Sequence, residues 1–151
     1  MPLFRATPDQ QGLTKMTKIV IALAVWLIGA GMAQAQSIEA GSVWDNQSGS
    51  VLYIDEVREN GHFHGRYVNN APGYACQGVE YRVVGDAFAP LISFSVVWKA
   101  EEETCHTITA WTGEYDADVI TTQWSLVRYA EEDGFARYSG DSVFERRTGD
   151  E

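Results

Sequence analysis

Residues 106–129 read HTITAWTGEYDADVITTQWSLVRY, and the spacing of side chains in this stretch decides the fold. Its two arms, 106–113 and 119–129, alternate with period two, the repeat of a strand whose two faces meet different surroundings. Asp116 to Asp118 supplies turn chemistry between them. Thr107, Thr109 and Trp111 share one face of the first arm, and Thr122, Trp124 and Leu126 share one face of the second. Each such face joins large apolar surface to short hydroxyl groups.

The same pattern extends outward along the chain. Strands are expected at 42–46, 51–57, 62–69, 79–84, 92–99 and 136–145, which with the two arms makes eight. Asn60-Gly61 is the dipeptide of a type I′ hairpin turn, and Gln47 to Gly49 and Asp86 to Pro90 are further turns. No window sustains a 3.6-residue apolar period. Eight evenly spaced strands predict an all-β protein, either a sandwich or an eight-stranded antiparallel up-and-down barrel. In a barrel, alternate residues point inward. Trp44 then goes with Asn46, Ser50 with Leu52 and Ile54, Tyr67 with Gly65 and Asn69, and Trp98 with Phe94 and Val96. Buried hydroxyls and amides are costly without partners. They either pair within a collapsed core or converge on a small ligand in a cavity.

The 151 residues suit one domain, with 45% hydrophobic and 21% charged residues. Acidic side chains outnumber basic ones 21 to 11, which argues against nucleic acid or an anionic membrane as partner. Lys15 and Lys18, an apolar run from Ile19 to Ala30 and the small-x-small site Ala33-Gln-Ala35 read as a signal peptide over 16–35. Residues 1–15 then read as an extension ahead of the true initiator Met16, and 36–151 as the mature, secreted or periplasmic domain. Removing three basic residues and one acidic residue leaves 8 against 20, a net charge of −12. Two cysteines remain, Cys76 and Cys105. An even count in an oxidising compartment favours one disulfide over two unrelated thiols. Closing that loop would stabilise the fold by roughly 3–4 kcal/mol.

A series of motifs follows in order: Trp44-Asp-Asn46-Gln-Ser-Gly-Ser50, Gly65-Arg-Tyr67, Val97-Trp98-Lys99, Thr107-Ile-Thr109-Ala-Trp111-Thr-Gly113, Thr122-Gln-Trp124-Ser-Leu126 and Gly140-Asp141. The series resembles the avidin and streptavidin family of biotin-binding proteins, over about Ser42 to Phe144. The resemblance implies the eight-stranded barrel and biotin as a bound ligand, with no cofactor. It implies that Asn46, Ser50 and Tyr67 donate to the carbonyl of biotin's ureido head, and that Asp141 and Asn69 accept from its N–H groups. Taken alone, Asp141 reads as a turn or surface aspartate. Thr109 would face the thioether sulfur, while Trp98, Trp111, Trp124 and Leu126 wall the ring and tail. Thr107 and backbone N–H groups after Asn69 would receive the carboxylate.

Two departures point to a particular branch. Tetrameric members lend a tryptophan to a neighbouring pocket from the loop before Asp141, and Glu131 to Arg137 contains none. Cys76 and Cys105 fall in two loops near the pocket mouth. The combination resembles the dimeric bacterial avidins, in which a disulfide joins those loops. It implies a homodimer, with a tetramer lacking the shared tryptophan as the alternative. His62 and His64 stand two apart on one strand without a third ligand in sequence, so no metal site is expected. His106 is expected at the solvated rim. Two other functions fit a barrel of this size. A lipocalin-like carrier of an apolar ligand would want a more apolar interior, and a secreted hydrolase would use Asp141 with His62 or His106. No nucleophile–base motif supports the second.

Overall fold

The computed structural model describes residues 37–74, 76–99 and 106–149. They form eight strands: β1 (Val43–Asn46), β2 (Val51–Val57), β3 (His62–Val68), β4 (Glu80–Phe88), β5 (Leu91–Trp98), β6 (Thr107–Asp116), β7 (Val119–Ala130) and β8 (Gly134–Arg146). Each strand pairs antiparallel with the next, and β1 pairs with β8, so the sheet closes into a barrel. The architecture is the expected up-and-down barrel, and the sandwich is excluded. The expected leader and Cys105 lie outside the described residues.

Strand positions agree with the alternation, and the turns differ. β4 runs on through Gly85 and Asp86, which look like turn residues, because Asp86 faces outward and pairs with His62 across the ladder. β6 extends to Asp116, leaving the two residues Ala117 and Asp118 as the hairpin loop. The Asn60-Gly61 turn is not type I′, which needs a positive φ at both residues. Only Gly61 has one (φ 82°), following a turn closed by Gly61 N–H to Arg58 C=O at 2.8 Å. This is the three-residue loop that ends on a left-handed glycine.

The interior has two tiers. At one end Trp44, Ile54, Phe63, Ile92, Ile120 and Phe144 are buried and pack into a solid core. Ile38 plugs that end, and the Tyr115 hydroxyl hydrogen-bonds to its backbone. Trp44 donates its indole N–H to Ser42 Oγ (2.9 Å), which in turn donates to the Glu39 carbonyl (2.6 Å). Arg147 holds β1 to the chain after β8 through Asp45 (Nε to Oδ2, 2.9 Å), and this hydrogen bond keeps the Asp45 carboxyl below its usual range. The core stops halfway along the barrel. Above it the inward faces change to the mixed composition noted in the sequence.

Candidate ligand site

The open half of the barrel holds a cavity of about 730 Å³. All eleven residues expected to bind ligand line it: Asn46, Ser50, Tyr67, Asn69, Trp98, Thr107, Thr109, Trp111, Trp124, Leu126 and Asp141. They lie at graded depths. Ser50, Tyr67, Thr109 and Trp111 are buried, whereas Thr107, Leu126 and Asn69 are only partly covered.

The polar groups at the deep end are held by the turn between β1 and β2. Asn46 Oδ1 accepts from Ser48 N–H (2.6 Å), which commits its oxygen to the turn and leaves its NH2 as the group offered inward. Ser50 is a hub: its Oγ accepts from Asn70 N–H (3.0 Å), donates to Asn69 Oδ1 (3.3 Å) and hydrogen-bonds with Tyr67. Asn69 Oδ1 also accepts from Ala71 N–H at 3.1 Å. Burial pushes the Tyr67 hydroxyl up to about 12, opposed by a smaller effect of its Ser50 hydrogen bond. Tyr67 is therefore a protonated donor throughout the physiological range.

Aromatic rings make the walls. Trp98 meets Tyr67 edge-on with centroids 5.6 Å apart, and Trp111 stacks on Phe94 at 5.0 Å. Such pairs fix ring orientation as well as burying area. Trp98 donates to Thr109 Oγ1 (2.8 Å), which leaves the threonine its own proton. Trp111 Nε1 is buried without a partner among the described residues, a state that costs about 1–3 kcal/mol if nothing fills it. Trp124 reaches the wall because Gly140 lies against it. A Cβ at Gly140 would stand 2.7 Å from the indole.

Asp141 stands apart from the other ten. It is exposed and sits opposite Gln123 on the outer face, while Ser142 beside it is 5% exposed and faces inward opposite Thr122. Asp141 thus borders the cavity from the outward-facing parity of β8, and the inward position next to it carries a neutral hydroxyl. Gln47, read in the sequence only as a turn residue, pins this stretch by acting as a strand edge. Its Nε2 donates to the Asp141 carbonyl (3.1 Å), and its Oε1 accepts from Val143 N–H (2.9 Å). Arg128, also passed over, completes the inward row of β7 beyond Leu126.

Cys76 is buried at the cavity edge, and none of the described cysteines is a free thiol. His62 lies on the outer surface beside Asp86, and His64 Nε2 is 3.6 Å from Glu56. His106 is exposed. No cluster of three or more metal-binding side chains occurs among the described residues.

A sequence profile of the avidin family matches residues 34–147. The chain belongs to the avidin family. It is 33% identical over 146 residues to afifavidin from Afifella pfennigii, covering 86% of this chain and 91% of that protein. Among solved structures, this avidin-family barrel is similar to apo shwanavidin, with 37% identity and a TM-score of 0.66 over 76% of this chain and all of that one. It is also similar to a rhizavidin–biotin complex, with 35% identity and a TM-score of 0.68 over 77% of this chain and all of that one. The lipocalin-like alternative finds no support in these similarities.

Proposed function

We propose that this chain binds biotin in the open half of the barrel and leaves it chemically unchanged. The observation that carries the reading is the convergence of Asn46, Ser50 and Tyr67 at the deep end of a tryptophan-walled cavity in an avidin-family barrel. Three donors gathered at one end of the cavity suit a carbonyl that gains negative charge, as a ureido oxygen does, once the Ser50 and Tyr67 protons turn from their present partners. Binding would turn the Ser50 proton from Asn69 to the ligand oxygen. That releases one acceptor site on Asn69 for a ligand N–H. Ser142 replaces Asp141 as the inward acceptor for the other N–H. Thr109 faces the sulfur, Trp98, Trp111, Trp124 and Leu126 enclose the ring and tail, and Thr107 stands at the mouth for the carboxylate.

The head-binding groups are neutral amides and hydroxyls, so a displacement titration should give one biotin per chain and a flat affinity from about pH 6 to 9. A steep change within that range would point to an ionising ligand-binding group and count against this set. Folding stability has a different dependence. The value of about 12 for Tyr67 lies above its unfolded one, so the contribution of the neutral hydroxyl is complete below about pH 10 and is lost as pH rises through 12.

The same reading includes export, assembly and a disulfide. A leader ending near Ala35 would deliver the domain to a secreted or periplasmic compartment. There Cys76 pairs with Cys105 and orders the loop at the mouth, which lowers the entropic cost of binding. A homodimer would form through the outer face of β5 to β7. There Val97, Ile108 and Val127 make one row and Ser95, Ala110 and Ser125 the next, with no charge in either. The outer face of β2 to β4 is instead laced with ion pairs such as Arg66 to Asp55 (3.0 Å) and Glu80 (2.8 Å). Ala110→Glu would place a charge in the middle of the uncharged face. Light scattering should then report a monomer, and an intact dimer would exclude this face.

A further inference from the structure

Two buried side-chain nitrogens among the described residues have no hydrogen-bond partner, Trp111 Nε1 and Arg128 Nε, and both residues line the same cavity. They mark its two ends. Trp111 pairs with Trp124 in the β6–β7 ladder, and Thr107 pairs with Arg128 four residues further toward the mouth. Four residues are about 14 Å along a strand, or about 10 Å along the barrel axis at a tilt near 40°. That interval suits a bicyclic head followed by a four-methylene tail.

Among the described residues, Arg128 is the only basic one lining the cavity. Its Nη2 is 3.7 Å from Asp133 Oδ2, beyond hydrogen-bond reach, and that carboxylate is itself largely exposed. The inward-facing Nε therefore keeps its donor capacity. The domain from residue 36 onward carries a net charge of −12, which would repel an anion approaching the mouth. A guanidinium set into the wall reverses that field locally and supplies directed N–H donors that a lysine lacks.

We propose that Arg128 reads the free carboxylate of the ligand's tail, so that the site prefers the free acid to forms whose tail is tied up in an amide. This rests on biotin being the ligand of the cavity. An amide-linked tail, as on a biotinylated lysine, presents no charge to Arg128 and leaves Nε without a strong acceptor. The protein would then capture the free vitamin ahead of its protein-bound form.

Displacement titrations of wild type, Arg128→Lys and Arg128→Leu with biotin and with biotin primary amide test this. Wild type should bind the acid about tenfold more tightly than the amide. Arg128→Leu should bring acid affinity down to that of the amide, and Arg128→Lys should restore part of the gap. If Arg128→Leu fails to fold, wild type alone decides. Raising ionic strength from about 0.05 to about 0.5 M should weaken acid binding and not amide binding. Equal binding of acid and amide by wild type, or a preference unchanged in Arg128→Leu, would overturn the role of Arg128. Failure of both ligands to bind would instead overturn biotin as the ligand.

Discussion

Replacing Ser50 by alanine is expected to weaken biotin binding by about a hundredfold, the product of two losses of about 1–2 kcal/mol each. The first is the bond its proton makes to the ligand carbonyl, which an alanine methyl cannot make at this buried position, 1% exposed. The second comes from the loop after β3, which Ser50 anchors through Asn70 N–H at 3.0 Å. Freed from that anchor, the loop loses order that binding must then restore. Part of the cost also falls on the unliganded protein, since Asn70 N–H loses its acceptor in both states, so the melting temperature should drop by a few degrees. Titration and melting of the same sample separate the two contributions. A variant that melts lower yet binds normally would mean that Ser50 is structural only.

An equally large effect is expected one residue away from where the sequence motif suggested. Ser142→Leu should cost about a hundredfold or more in affinity, because it removes an acceptor and fills a buried inward position with four carbons. Asp141→Ala should change affinity by less than about twofold, since an exposed side chain on the outer face contributes little to an interior site. The Gln47 bonds are to backbone atoms of Asp141 and Val143 and survive that replacement. The reverse ranking would mean that β8 shifts by one residue when ligand binds. Every inward and outward side chain on the strand would then exchange places.

Asp141 shows how far the sequence could be read. Period two placed all eight strands, because a barrel wall imposes its alternation on every one of them. It also placed Trp98, Trp111 and Trp124 on the cavity side. The same rule applies to β8: Phe144, Ser142 and Gly140 have one parity, and Asp141 has the other. Taken alone Asp141 reads as a surface aspartate, and only the family resemblance assigned it to the ligand head. Arg128 was missed for the opposite reason. Arginines are mostly surface residues, yet its parity with Trp124 and Leu126 put it in the cavity wall.

Other features left no readable trace. Gln47 acts as a piece of strand edge across β8, a contact over 94 residues that no local pattern encodes. The reach of β4 past Gly85 and Asp86 depends on His62 across the ladder. The left-handed glycine after Asn60 was legible, but the turn type was not. Asn-Gly also suits a longer loop in which only the glycine needs a positive φ.

The central claim, that the upper half of the barrel is a site for biotin, is tested most directly by thermal unfolding with and without the vitamin. A ligand bound only by the folded state stabilises it by RT ln(1 + [L]/Kd), about 4 kcal/mol at a thousandfold excess over Kd. For a domain of this size that amounts to a rise of roughly 10 °C or more in the transition temperature. Such a rise with biotin is the predicted result, and a transition that does not move at saturating biotin would contradict it.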